Sequence, residues 1–167
     1  MSFVLYPDPV LQQQARRAAT VTADLLAVGE RLLATAQEVK AYGLAAAHIG
    51  VAAPVIVLNV APVSPVSEYL LLFNPQISAA SEESTDGTEA SFSLPGVQVS
   101  LSRPVWVDVA FDDFKGQARS LHFEDFVARC ACHEIDQMNG IFFLSRLSKL
   151  KRDMALKRYR KSRMGRF

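Results

Sequence analysis

A chain of 167 residues, half of them hydrophobic and 21% charged, has the composition of one globular domain with enough length for a buried core. No apolar run approaches the roughly 18 residues of a membrane span, which excludes a transmembrane class. The start Met1-Ser-Phe-Val-Leu-Tyr-Pro-Asp-Pro9 lacks the basic, apolar and small-residue order of a signal peptide, so a cytoplasmic protein is expected.

The net charge of +1 hides an asymmetry. Residues 146–167 hold ten basic residues (Arg146, Lys149, Lys151, Arg152, Lys157, Arg158, Arg160, Lys161, Arg163 and Arg166) against Asp153 alone. The remainder holds eight basic and sixteen acidic residues. Such a tail suits contact with a polyanion such as RNA. It equally suits a solvated helix end, where cations meet the helix dipole.

In chain order, Met1–Leu11 reads as an extended arm with two prolines. Asp24 is a plausible N-cap for an amphipathic helix bearing Leu25, Val28, Leu32, Ala36 and Val39, ending near Tyr42-Gly43. Val55–Val60 and Tyr69–Phe73 are strand-length apolar runs, separated by a Pro/Ser-rich turn over Ala61–Ser67. Ser78–Thr88 is polar and acidic, a loop or an edge hairpin. Val97–Leu101, Val105–Phe111 and Ala118–Phe123 are strands, with a turn at Asp112–Gly116 between the last two. Glu124 or Asp125 opens a helix to Met138, stopped by Asn139-Gly140. Phe142–Leu144 returns to the core, and a last helix carries the basic residues. Strands without helical crossovers predict an α+β domain spanning 1–167, with 146–167 as its basic tail.

The helix over 125–138 contains His133-Glu134-Ile135-Asp136-Gln137. In H-E-x-x-H, two histidines four apart on one face hold a metal, and the glutamate is general base for its bound water. Here the second histidine is Gln137. Cys130, His133, Glu134 and Gln137 fall on one helix face. Cys130 and Cys132 point about 200° apart and cannot pair with each other, consistent with a reducing compartment. Taken alone, a cysteine on an apolar face is ordinary core, and a His-Glu pair arises by chance.

Two upstream segments change that weighting. The first is Tyr42-Gly43-Leu44-Ala45-Ala46-Ala47-His48-Ile49-Gly50, and the second is Glu89-Ala90-Ser91-Phe92-Ser93-Leu94-Pro95-Gly96. With the helix motif, in this order, they resemble the peptide deformylase family, whose patterns are G-x-G-L-A-A-x-Q-x-G, E-G-C-L-S-x-P-G and Q-H-E-x-D-H-L-x-G. Further likeness lies in Val4–Leu11, Leu72-Phe73-Asn74-Pro75, Arg103-Pro104 and Ala128-Arg129.

The resemblance implies antiparallel sheets around a central helix bearing the H-E-x-x-Q motif, with N-terminal and C-terminal helices. It implies metal-dependent hydrolysis of the N-formyl group from N-formylmethionyl peptides. By motif position, Glu134, His48 and Ser91 are the catalytic candidates. Gly43, Leu44, Phe92, Ser93 and Cys130 are the substrate-binding candidates, and His133 is the surviving metal ligand. The family's other two ligands, a cysteine and a histidine, are Ser91 and Gln137 here. A serine hydroxyl and a glutamine amide are weak donors beside thiolate and imidazole. The expectation is therefore no metal at the family site.

Three functions stay open at this stage. The first is a degenerate homologue that still binds N-terminal peptides of nascent chains. The second is a rewired hydrolase, using iron, zinc or nickel on His48 and His133 with Glu134 or Cys130, or using Ser91 as a metal-free nucleophile with His48 or His133 as base. The third is a ribosome- or RNA-associated module working through the basic C-terminal helix, which in many bacterial members docks on the ribosome.

Overall fold

Val55–Asn59 (β2) is apolar along most of its length, and in the computed structural model all five residues are buried. Burial on both faces follows from its position. Val55 and Val57 face helix α1 (Ala23–Val39) with Leu25, Leu32, Ala36 and Phe73. Ile56 and Leu58 face helix α2 (Asp125–Met138) with Ala128, Ala131, Ile135 and Met138. A two-sided strand needs no polar alternation. The structure describes residues 2–62, 65 and 68–164. The Pro/Ser turn expected over Ala61–Ser67 therefore lies largely outside the described residues, as does Arg166.

Five strands form one antiparallel sheet: β1 (Gly43–Ala45), β2, β3 (Tyr69–Ala80), β6 (Trp106–Asp112) and β7 (Ala118–Glu124), in that spatial order. β4 (Ser84–Ala90) and β5 (Gln98–Pro104) form a separate two-stranded sheet. α2 packs against β1, β2 and β3 of the large sheet and against β5 of the small one. The fold is α+β with antiparallel sheets around a central helix, as expected. The C-terminal helix α3 (Lys149–Met164) seats Ala155 and Tyr159 on a third apolar cluster with Leu11, Leu94, Val97 and Phe142–Leu144.

Several expected boundaries move. The N-cap of α1 is Thr22, whose Oγ1 accepts from Leu25 N–H at 3.2 Å; Asp24 lies in the first turn, where its charge suits the helix dipole. The helix ends at Val39, where Lys40 turns left-handed at φ 54°, short of Tyr42-Gly43. β3 continues through Asn74-Pro75 to Ala80, and β4 begins at Ser84, so the segment expected as a loop or an edge hairpin is mostly strand, its two strands belonging to different sheets. Asn74 takes φ 50° at a register shift in the β3–β6 pairing, and its side chain bonds Ala18 and Asp112. The arm is not extended to its end, since Pro9–Gln12 forms a 3-10 turn capped by Asp8.

Gly87 of β4 shows why a glycine stands in that strand. A Cβ there would lie 2.6 Å from Cζ of Arg129, whose guanidinium donates to the carbonyls of Leu101 at 2.8 Å and Thr85 at 2.7 Å. This guanidinium ties α2 to the β4–β5 hairpin. Gly87→Ala is expected to destabilise the chain by about 1–3 kcal/mol through overpacking at Arg129. Denaturant titration measures it; a change under ~0.5 kcal/mol would show that the hairpin yields freely.

Candidate active site

A cavity of about 440 Å³ opens between β1, the end of β4 and α2. β1 supplies Gly43 and Leu44, the segment after β4 supplies Ser91 and Phe92, and α2 supplies Phe126, Cys130, His133 and Glu134. His48 enters from a 3-10 turn, Ala46–Ile49. Most of the lining is apolar, and Tyr42 and Phe126 stand half-exposed at the mouth in edge-to-face contact, centroids 4.9 Å apart. Phe92 stacks on Phe3 at 4.7 Å, so the arm braces one wall.

Two expected residues lie elsewhere. Gln137 is fully buried behind the pocket, where its Nε2 donates to the Leu11 carbonyl at 2.7 Å. The helix-face reading placed it beside Cys130, His133 and Glu134, but one turn further along the face lies beneath the N-terminal arm. Ser93 is also buried, outside the lining; its N–H donates to Ser91 Oγ at 3.1 Å, and its carbonyl accepts from Tyr6 N–H at 2.8 Å.

Gly43 is what admits Glu134. A Cβ at Gly43 would meet Glu134 Cγ at 2.9 Å and Oε1 at 3.2 Å. The strand backbone therefore lies directly against the carboxylate and removes water from it. Glu134 Oε2 is buried and has no hydrogen-bond partner among the described residues; His48 Nδ1, at 3.7 Å, is too far to donate. Burial pushes the Glu134 carboxyl up to about 7, against the pull of His133.

His48 is neutral. Burial, reinforced by His133, lowers its imidazole to about 3. Nδ1 lies 3.0 Å from the Ala45 nitrogen and 3.2 Å from its carbonyl oxygen, so it accepts from that N–H in one tautomer and donates to that carbonyl in the other. Nε2 lies 3.4 Å from Ser91 Oγ. Ser91 Oγ thus accepts from the Ser93 N–H and has His48 Nε2 as its second neighbour.

A buried charge network, not anticipated from the sequence, supports His133. Arg103 donates from Nε to Glu89 Oε1 at 2.9 Å, from Nη2 to Glu89 Oε2 at 3.1 Å and from Nη1 to Asp136 Oδ2 at 2.7 Å. Arg146 closes the chain on Asp136 at 2.9 and 2.6 Å, which removes it from the free basic tail. Glu89 Oε2 lies 3.6 Å from His133 Nδ1. Burial raises the Glu89 carboxyl, but His133 and Arg103 outweigh it and hold it at about 2. Burial lowers the His133 imidazole, yet Glu89 and Glu134 together raise it. The signals were Arg103-Pro104 and the glutamate opening the second motif, but neither pointed to its partner.

The donors present do not fit a divalent metal. A carboxylate behind a histidine is a common support for a metal ligand. Yet no group of three His, Cys, Asp or Glu among the described residues is placed to hold an ion. Gln137 is committed to Leu11, and Ser91 offers a neutral hydroxyl that already accepts from the Ser93 N–H. Burial, with the Glu134 charge, pushes the Cys130 thiol up to about 12, so without a metal beside it Cys130 is a neutral thiol near neutral pH.

A family model described as polypeptide deformylase matches residues 1–153. Among curated relatives, a peptide deformylase of Rhizobium meliloti (strain 1021) is 34% identical over 159 residues, 95% of this chain and 91% of that protein. A peptide deformylase-like protein of the same strain is 37% identical over 158 residues, 95% and 90% of the two chains. The solved peptide deformylase from Ehrlichia chaffeensis in complex with actinonin superposes with a TM-score of 0.88 at 30% identity, covering 97% of this chain and 96% of that one. No helix among the described residues is long and apolar enough to cross a membrane.

Proposed function

The chain belongs to the polypeptide deformylase family, and from that premise we propose that it keeps the family's pocket for an N-terminal peptide end while its deformylase activity is lost or strongly reduced. The observation that carries this reading is Gln137: its amide is spent on Leu11, and with Ser91 it replaces two of the three family ligands. A metal supplies hydrolysis with a water whose pKa falls from about 15.7 to about 7. Glu134 without it is a poor activator of water toward an amide.

The pocket remains suited to binding. Its lining is mainly apolar, and Glu134 Oε2 lacks a donor among the described residues. A ligand N–H, from an N-terminal amine or a formamide, completes that carboxylate. The rewired hydrolase is less well supported. His48 Nε2 lies 3.4 Å from Ser91 Oγ, longer than the roughly 2.6–3.2 Å over which a general base takes a proton.

A cytoplasmic site of action fits two free cysteines. Contact with a ribosome or other RNA through α3 is a compatible second part of the proposal. Lys149, Lys157, Arg160 and Lys161 are exposed on α3 and make no ion pair among the described residues.

Protein purified without chelator is expected to hold well under one metal ion per chain. It is expected to release no formate from formyl-Met peptides, with or without added iron, nickel or zinc. Stoichiometric metal, or turnover abolished by Glu134→Ala, would sink the reading.

A further inference from the structure

A second groove, about 670 Å³, runs between α3 and the β4–β5 hairpin. It shares Ala90, Ser91 and Gln98 with the first cavity, so the two adjoin at these residues. Its character differs. Lys151 and Arg158 of α3 stand over it, both exposed and neither paired to an acid among the described residues. No Asp or Glu among the described residues lines it. Apolar Leu94, Val97 and Met154 complete the floor and wall.

Lys151 and Arg158 are seven positions apart, close to two helical turns, so both side chains project from one face about 10 Å apart along the helix. That spacing falls between carboxylates two and four residues apart on one face of an extended peptide, about 7 and 13 Å, and the long side chains of Lys151 and Arg158 span the difference. A ligand whose N-terminal residue fills the first cavity would leave past Ser91 and Gln98 into this groove.

We propose that the groove is a subsite for an acidic peptide segment, so that the chain selects N-terminal peptide ends followed within a few residues by Asp or Glu. Lys151 and Arg158 supply the charge, and Leu94, Val97 and Met154 the apolar floor. This inference rests on the peptide-end reading above and adds a sequence preference to it.

Fluorescence anisotropy with hexapeptides beginning Met-Ala tests it. Three series carry acidic, neutral or basic residues at positions three to six, measured on the full chain at low and at physiological salt. The acidic series is expected to bind about tenfold more tightly than the neutral one at low salt, an advantage that salt reduces. The double variant K151E/R158E is expected to abolish or reverse that order while leaving affinity for the neutral series unchanged. Both positions are exposed, and an unchanged Tm confirms folding.

If the neutral series binds but acidic residues add nothing, the subsite is wrong and the pocket reading stands. If no series binds, the pocket reading fails and takes the subsite with it. A short oligoribonucleotide bound through the same two residues, with peptides indifferent to their charge, would assign the groove to nucleic acid and overturn the proposal.

Discussion

Arg103→Ala is expected to remove about 3–5 kcal/mol of stability, because it leaves a buried carboxylate without its cation. Arg103, Glu89 and Asp136 are each under 10% exposed, and the guanidinium bonds both carboxylates at 2.7–3.1 Å. Asp136 would keep Arg146. Glu89 would keep only longer contacts, 3.6 Å to His133 and 3.9 Å to Arg129, and would stand as a buried charge without a hydrogen-bonded cation. For a chain of this length the loss lowers Tm by roughly 10 °C.

The double change R103M/E89Q separates a broken pair from general damage. Removing both charges leaves no orphan, so most of the loss should return. Chemical denaturation of the single and double variants reads this directly. A single-variant loss below ~1 kcal/mol, or a double variant no better than the single, would show that water compensates Glu89 fully. The same pair governs the site, because Glu89 is the carboxylate behind His133 Nδ1.

The parts of this molecule legible in its sequence are those whose signals are local. Apolar runs placed five of the seven strands among the described residues and the first helix, and three ordered motifs put His48, Ser91, His133 and Glu134 around one cavity. The failures share a different cause. The apolar run ends at Phe73, but the strand continues through Asn74-Pro75 because Asn74 accepts a left-handed backbone that Ala18 and Asp112 hold in place. The three residues of β1 are too short for periodicity and became a strand by pairing with β2. Arg103 meets partners 14 and 33 positions away, and Gln137 meets Leu11 across 126. Helix geometry put Gln137 on the ligand face; only the path of the N-terminal arm shows that its amide is in use.

Glu134→Gln is expected to stabilise the protein by about 3 kcal/mol above pH 8, and not at all below pH ~4.5. Burial raises the Glu134 carboxyl from 4.5 in the unfolded chain to about 7 in the folded one. The folded state therefore holds this proton more tightly than the unfolded state. Its ionisation penalty begins above 4.5 and is complete above 7. The substituted amide cannot ionise and escapes it.

His48 works in the opposite sense. Its folded value of about 3 lies below the ordinary 6.5, so stability is present above 6.5 and is lost as pH falls toward 3. Between about 4.5 and 6.5 the two slopes oppose each other, and the wild-type profile should be nearly flat there. His133, raised by Glu89 and Glu134, adds stability below 6.5 that disappears as pH rises through its folded value. The maximum therefore lies on the acid side of neutrality, and thermal melts of both proteins from about pH 4 to 9 map it. Equal stability of the two at about pH 8.5 would mean that Glu134 already has a partner.

The same reasoning ties stability to binding. A ligand that donates to Glu134 Oε2 relieves the penalty only where the carboxylate is charged and alone. At about pH 8 a bound peptide end should then raise the wild-type Tm more than that of Glu134→Gln, and at about pH 5 the two shifts should converge. A buried carboxylate that destabilises its own fold, kept open by a glycine and facing an apolar cavity, is what a binding site retains at the expense of stability.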